Sequence, residues 1–98
     1  MQLKELLLAI NEKRLTKQQL EVYSDDLANL YALMQLELAD IRKEKALYWL
    51  SDKKESDKAT ERSWAVTAKG QREIELSHYC KAVEKVLSSL RSRIYSTY

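Results

Sequence analysis

Residues 17–50 read KQQLEVYSDDLANLYALMQLELADIRKEKALYWL, a run with no glycine and no proline. Leu20, Leu27, Met34, Ile41 and Tyr48 recur in it every seven residues, and Tyr23, Leu30, Tyr31, Leu38 and Leu47 widen that stripe. Apolar residues at this spacing line one face of an α-helix. Nothing in the run interrupts helical hydrogen bonding, so the spacing predicts one helix over residues 17–51. It would have roughly nine turns at 3.6 residues each, well beyond the usual three or four. A helix of that length needs a partner to cover its stripe.

The flanks supply the rest of the architecture. Thr16-Lys17-Gln18-Gln19 fits a capping box, in which the Thr16 hydroxyl accepts the Gln19 backbone N–H and the Gln19 side chain reaches back. Leu3, Leu6, Leu7 and Ile10 predict a short helix over residues 2–13. Asp52-Lys53-Lys54-Glu55-Ser56-Asp57 holds no large apolar residue and offers Ser56 or Asp57 as an N-cap, which predicts a turn at 52–56. Beyond it Leu76, Cys80, Val83, Leu87, Leu90 and Ile94 alternate steps of four and three, the spacing of a coiled-coil seam. Trp64, Ala65, Val66 and Ala68 extend an apolar face upstream, predicting a second long helix over residues 57–95. Gly70 interrupts it at a cost of about 1 kcal/mol relative to alanine. It marks a kink, a break or a close approach of another backbone. Two stripes of similar length joined by a short polar link fold as an antiparallel hairpin, with the first helix capping its open end.

Composition agrees. The 98 residues include one Gly, no Pro and no Phe, so the turns that strands require lack their usual residues. The expected fold class is all-α, in a single domain over residues 1–98. So short a chain buries limited surface, and association into a homo-oligomeric helical bundle would add burial. One cysteine excludes an internal disulfide and offers no metal site by itself. It fits a reducing cytoplasm, that of the host cell if a phage encodes the protein. No apolar run approaches the roughly 20 residues of a membrane span. Leu6 to Ile10 is too short, and follows Glu5 too closely, for a signal peptide.

No catalytic centre is legible. His78 is the only histidine, and Cys80, two residues on, points to another side of a helix. A Cys–His nucleophile pair needs the two facing each other. Glu37, Asp40 and Glu44 share a helix face, but carboxylate-bridged metal bundles also use Glu-x-x-His pairs, which are absent. A single glycine cannot build a phosphate loop. The expectation is a binding protein with no cofactor, no metal and no small-molecule substrate.

Charge is uneven along the chain. Residues 1–40 hold four bases against seven acids, and residues 41–98 hold thirteen against eight, within a formal net charge of +2. Around the predicted turn, Arg42, Lys43, Lys45, Lys53, Lys54, Lys58, Arg62, Lys69 and Arg72 alternate with Tyr48, Trp49 and Trp64. Cations for phosphates and aromatic faces for bases are what binding of single-stranded nucleic acid requires. The acids Asp40, Glu44, Asp52, Glu55, Asp57 and Glu61 are interleaved with them. The same residues therefore also fit a plainer arrangement, with Trp49 and Trp64 packed together in the core and the charges paired along the helices.

Lys43-Glu44-Lys45-Ala46-Leu47-Tyr48-Trp49 resembles the Lys-x-Arg-x-x-Tyr-Tyr segment of UvsY-type phage recombination mediators. Val66-Thr67-Ala68-Lys69, Tyr79, Val86-Leu87 and the run Leu90 through Arg93 are similar to the helical second half of that family. The resemblance covers about residues 35–95. It implies a small, self-associating helical protein that binds single-stranded DNA. Such a protein helps load a recombinase onto DNA coated by single-strand-binding protein. By the same resemblance Lys43 and Lys45 are the DNA-contacting cations, Tyr48 and Trp49 the stacking aromatics, and the seam from Leu76 to Ile94 the self-association surface. Lys45 stands where the family has arginine, and an ammonium lacks the planar fork of a guanidinium. The chain is also shorter than typical members. The competing expectation is a protein–protein interaction module or inhibitor of a host or defence protein. In that case Glu21, Asp25, Asp26, Glu37 and Asp40 would dock a basic partner surface.

Overall fold

The computed structural model describes residues 3–10 and 15–96. Among them are four α-helices and no strand: α1 (Leu3–Ile10), α2 (Lys17–Ser51), α3 (Asp57–Ala65) and α4 (Ala68–Ser96). The long helix α2 packs against α4 as a hairpin. The predicted start of the first helix at residue 2, and its end at 11–13, lie outside the described residues.

The start of α2 is the capping box read from the sequence. The Thr16 N–H donates to Gln19 Oε1 at 2.9 Å, and the Gln19 N–H donates to Thr16 Oγ1 at 3.1 Å. Residues 52–56 leave the helix, and Ser56 caps α3 by accepting the Ala59 N–H at 3.1 Å. Thr60 then ties the turn to α3. Its fully buried hydroxyl accepts the Lys54 N–H and donates to the Ser56 carbonyl, both at 3.0 Å.

The second long stretch is two helices, broken at residues 66–67, three residues before Gly70 where the sequence allows a break. Thr67 makes the break. Its Oγ1 donates back to the Trp64 carbonyl at 2.6 Å and accepts the Gly70 N–H at 3.0 Å, so it ends α3 and caps α4 at once. Gly70 lies in the first turn of α4. A Cβ there would collide with the Trp64 carbonyl oxygen and sit 2.9 Å from Ala65 Cα. Gly70 thus stands just past a helix break and is also the point of close approach of another backbone.

The chain divides into two compact units. Unit 1 comprises residues 1–33 and 80–98, and buries Leu6, Ile10, Leu20, Leu27, Cys80, Val83, Leu87 and Leu90. Polar links accompany this aliphatic core. Tyr31 donates to Glu84 at 2.5 Å, and Arg93 donates to the Ile10 carbonyl at 3.3 Å, satisfying an end group of α1. Unit 2 comprises residues 34–79, and its core is Leu38, Ile41, Trp64 and Leu76 with Met34 and Tyr48 packed against it.

The seam Leu76, Cys80, Val83, Leu87, Leu90 and Ile94 was expected to join subunits. Its first five residues are buried inside the chain, and Ile94 is half-buried. Hairpin packing has used that seam internally, so it is not a free surface. Leu47 also leaves the stripe assigned to it: it is exposed, on the side of α2 away from the core.

Candidate functional site

The cations of unit 2 fall into two sets. Glu73, on α4, gathers the first. One of its oxygens accepts the Trp64 Nε1–H at 3.1 Å and lies 3.4 Å from Lys45 Nζ, while the other is 3.8 Å from Arg42 Nε. Lys45 also donates to Glu61 at 2.7 Å. Burial works against its charge, but the bond to Glu61 and the charges of Glu73 and Glu61 outweigh it. They hold the Lys45 pKa above its ordinary 10.5. Arg72 forks onto Glu37 through Nε at 2.6 Å and Nη2 at 3.1 Å, and bonds Glu75 through Nη1. The fork lowers the Glu37 pKa below its ordinary 4.5 and raises that of Arg72. Lys69 pairs with Glu44.

Lys53, Lys54, Lys58 and Arg62 form the second set, around the α2–α3 turn. All four are exposed, and their side chains hold no carboxylate among the described residues. Lys58 and Arg62 stand one turn apart on the same face of α3. Lys53 and Lys54 lie in the turn and, with Glu55 and Ala59, line a shallow depression. Lys43 is likewise exposed, but on the outward side of α2.

The aromatics divide in a similar way. Trp64 is buried, Tyr48 is half-buried against it with ring centroids 5.4 Å apart at 57°, and the Tyr48 hydroxyl bonds Ser63. Both are core groups, so the plainer arrangement holds for them, with Tyr48 rather than Trp49 as the partner of Trp64. Trp49 is half-buried. Its indole nitrogen is buried without a hydrogen-bond partner among the described residues.

Of the nine residues selected for nucleic-acid contact, Lys53, Lys54, Lys58 and Arg62 are thus grouped and free, and Trp49 is half available. Arg42 and Lys45 are neutralised by carboxylates, Tyr48 is packed inside, and Lys43 faces elsewhere. His78 is exposed and Cys80 buried, so the two do not meet. Among the described residues no three His, Cys, Asp or Glu side chains gather as metal ligands. No helix there is long and apolar enough to cross a membrane.

Sequence reading missed the outward ridge of α2. Leu36, Leu47 and Leu50 are 66%, 65% and 84% exposed in unit 2, and Leu33, at the end of unit 1, is 63% exposed. Their spacing of three, eleven and three was the available signal, hidden by the stronger seven-residue repeat beside it.

These features define a small helical hairpin with four exposed cations about the α2–α3 turn, interleaved with acids, and an apolar outer ridge. No protein family, curated protein or solved structure matches the chain.

Proposed function

We propose that the chain is a non-catalytic accessory protein that binds single-stranded DNA through the α2–α3 turn, in the manner of a recombination mediator. One observation supports this above the rest. Lys53, Lys54, Lys58 and Arg62 are exposed and hold no carboxylate among the described residues, whereas Arg42, Lys45, Lys69 and Arg72 are each paired. Cations left unpaired at one end of a unit otherwise well supplied with ion pairs are available to phosphates. Trp49, one turn before that end, is the aromatic positioned to stack on a base.

The interleaved Asp52, Glu55 and Asp57 keep the local field small, so a single copy binds weakly and several copies along one strand bind by avidity. The likeness to recombination mediators extends the role to partnership with a recombinase or single-strand-binding protein. Four phosphate contacts give a log–log salt slope of about −3 on a single strand. Fluorescence anisotropy of a labelled oligothymidylate at several salt concentrations tests this. Changing Lys53, Lys54, Lys58 and Arg62 together to alanine should flatten the slope to near zero; an unchanged slope overturns the reading.

A second reading follows from the ridge of α2: a protein–protein interaction module with no nucleic-acid role. Exposed leucines in register on a helix are ordinarily a docking face. Salt-independent failure of the unaltered protein to bind the oligonucleotide would favour it.

A further inference from the structure

The ridge of α2 has an internal symmetry that names its own partner. In heptad spacing it runs Leu33, Leu36, Asp40, Lys43, Leu47, Leu50, all exposed. About a point midway between residues 41 and 42 this order is a palindrome: leucines outermost, and at the centre one acid and one base.

We propose that a second copy of the chain docks on this ridge, with the two α2 helices antiparallel about a two-fold axis beside Ile41 and Arg42. That axis places Asp40 opposite Lys43 of the second copy and Lys43 opposite its Asp40. Leu36 then meets Leu47 of the second copy, and Leu33 meets Leu50. A two-fold interface must be self-complementary, and this pattern is so in both charge and apolarity. Parallel in-register pairing would stack Asp40 on Asp40 and Lys43 on Lys43, so the central layer selects orientation as well as partner.

Two further observations fit. Ala39 and Ala46 flank the ridge and are exposed, and small flanking side chains allow close approach of the two helices. Glu37 and Glu44, on the other flank, already have their charges held by Arg72 and Lys69. They bring no uncompensated negative charge to the contact. The interface differs from the C-terminal seam, which the fold has consumed, and it leaves Lys53, Lys54, Lys58 and Arg62 outside the contact.

Sedimentation equilibrium over a range of protein concentrations tests the proposal, with circular dichroism confirming the fold of each variant. Every altered side chain is exposed, so folding should survive. Asp40→Lys alone, or Lys43→Asp alone, places like charges at the centre and should raise the dimer dissociation constant at least tenfold. Asp40→Lys with Lys43→Asp should return it to near the starting value. Mixing Asp40→Cys chains with Lys43→Cys chains should give more cross-linked dimer than either alone, whereas parallel pairing would favour the unmixed products. A protein that stays monomeric, or a dimer indifferent to the charge exchange, overturns the proposal, as does a ridge occupied only by a different protein. A monomer that still binds oligonucleotide with the expected salt slope would overturn the dimer while leaving the proposed function intact.

Discussion

The two units are built from the same pair of long helices but cohere by different means. Unit 1 buries aliphatic side chains and one thiol, and its tyrosine and arginine links lie at the edge. Unit 2 buries fewer aliphatics, centres on Tyr48 and Trp64, bonds the Trp64 indole to Glu73, and adds the ion pairs of Lys45 with Glu73 and Glu61 and of Arg72 with Glu37. Aliphatic packing depends on volume and tolerates variation in pH and salt. A network of ion pairs and hydrogen bonds depends on protonation and on the placement of each group. One hairpin thus contains a region governed by packing and another governed by polar geometry.

The largest test of that contrast is on the unit 1 side. Leu27 is fully buried, and Leu27→Ala should cost about 2–5 kcal/mol through lost burial and the residual cavity. Hydrogen exchange read amide by amide should show the loss centred on unit 1. Next comes Gly70→Ala, which drives a methyl into the backbone of Trp64 and Ala65. It should cost at least about 1–3 kcal/mol as overpacking, with lost protection centred on α3 and the first turns of α4. An equal loss across both units would break the distinction.

Smaller effects sharpen it. Thr60→Val keeps the shape but removes the partner of the Lys54 N–H, and should cost about 1–3 kcal/mol, read as a lower melting temperature. Acidification should act on unit 2 by less, because the Glu37–Arg72 fork is nearly half exposed and screened by solvent. Glu37 has a lowered pKa in the folded chain, so its contribution is present above its ordinary 4.5 and is lost as pH falls through the lowered value. Exchange in α2 around Glu37 and in the first turns of α4 around Arg72 should accelerate there. Glu37→Gln should abolish that step, and a step that persists in the variant would assign it elsewhere.

Heptads and caps are local signals, so the elements they mark were legible in both units. The Thr16 capping box, the length of α2 and the turn at 52–56 were all readable within a few residues. The split between α3 and α4 was legible only as one of three readings of Gly70, because Trp64, Ala65, Val66 and Ala68 continue an apolar pattern straight through it. The candidate site was half legible for a related reason. That Lys53, Lys54, Lys58 and Arg62 cluster follows from adjacency. That Arg42 and Lys45 are neutralised depends on Glu73, some thirty residues away along the chain, and no local spacing encodes it.

Cys80 gives the chain an internal clock. As the sole sulfhydryl, enclosed in unit 1, it is shielded from an alkylating reagent while that unit stays shut. When reclosing outruns alkylation, the labelling rate divided by that of an unfolded control yields the fraction of time the unit spends open. Breathing of that region can therefore be timed in the unaltered molecule, with no reporter group attached.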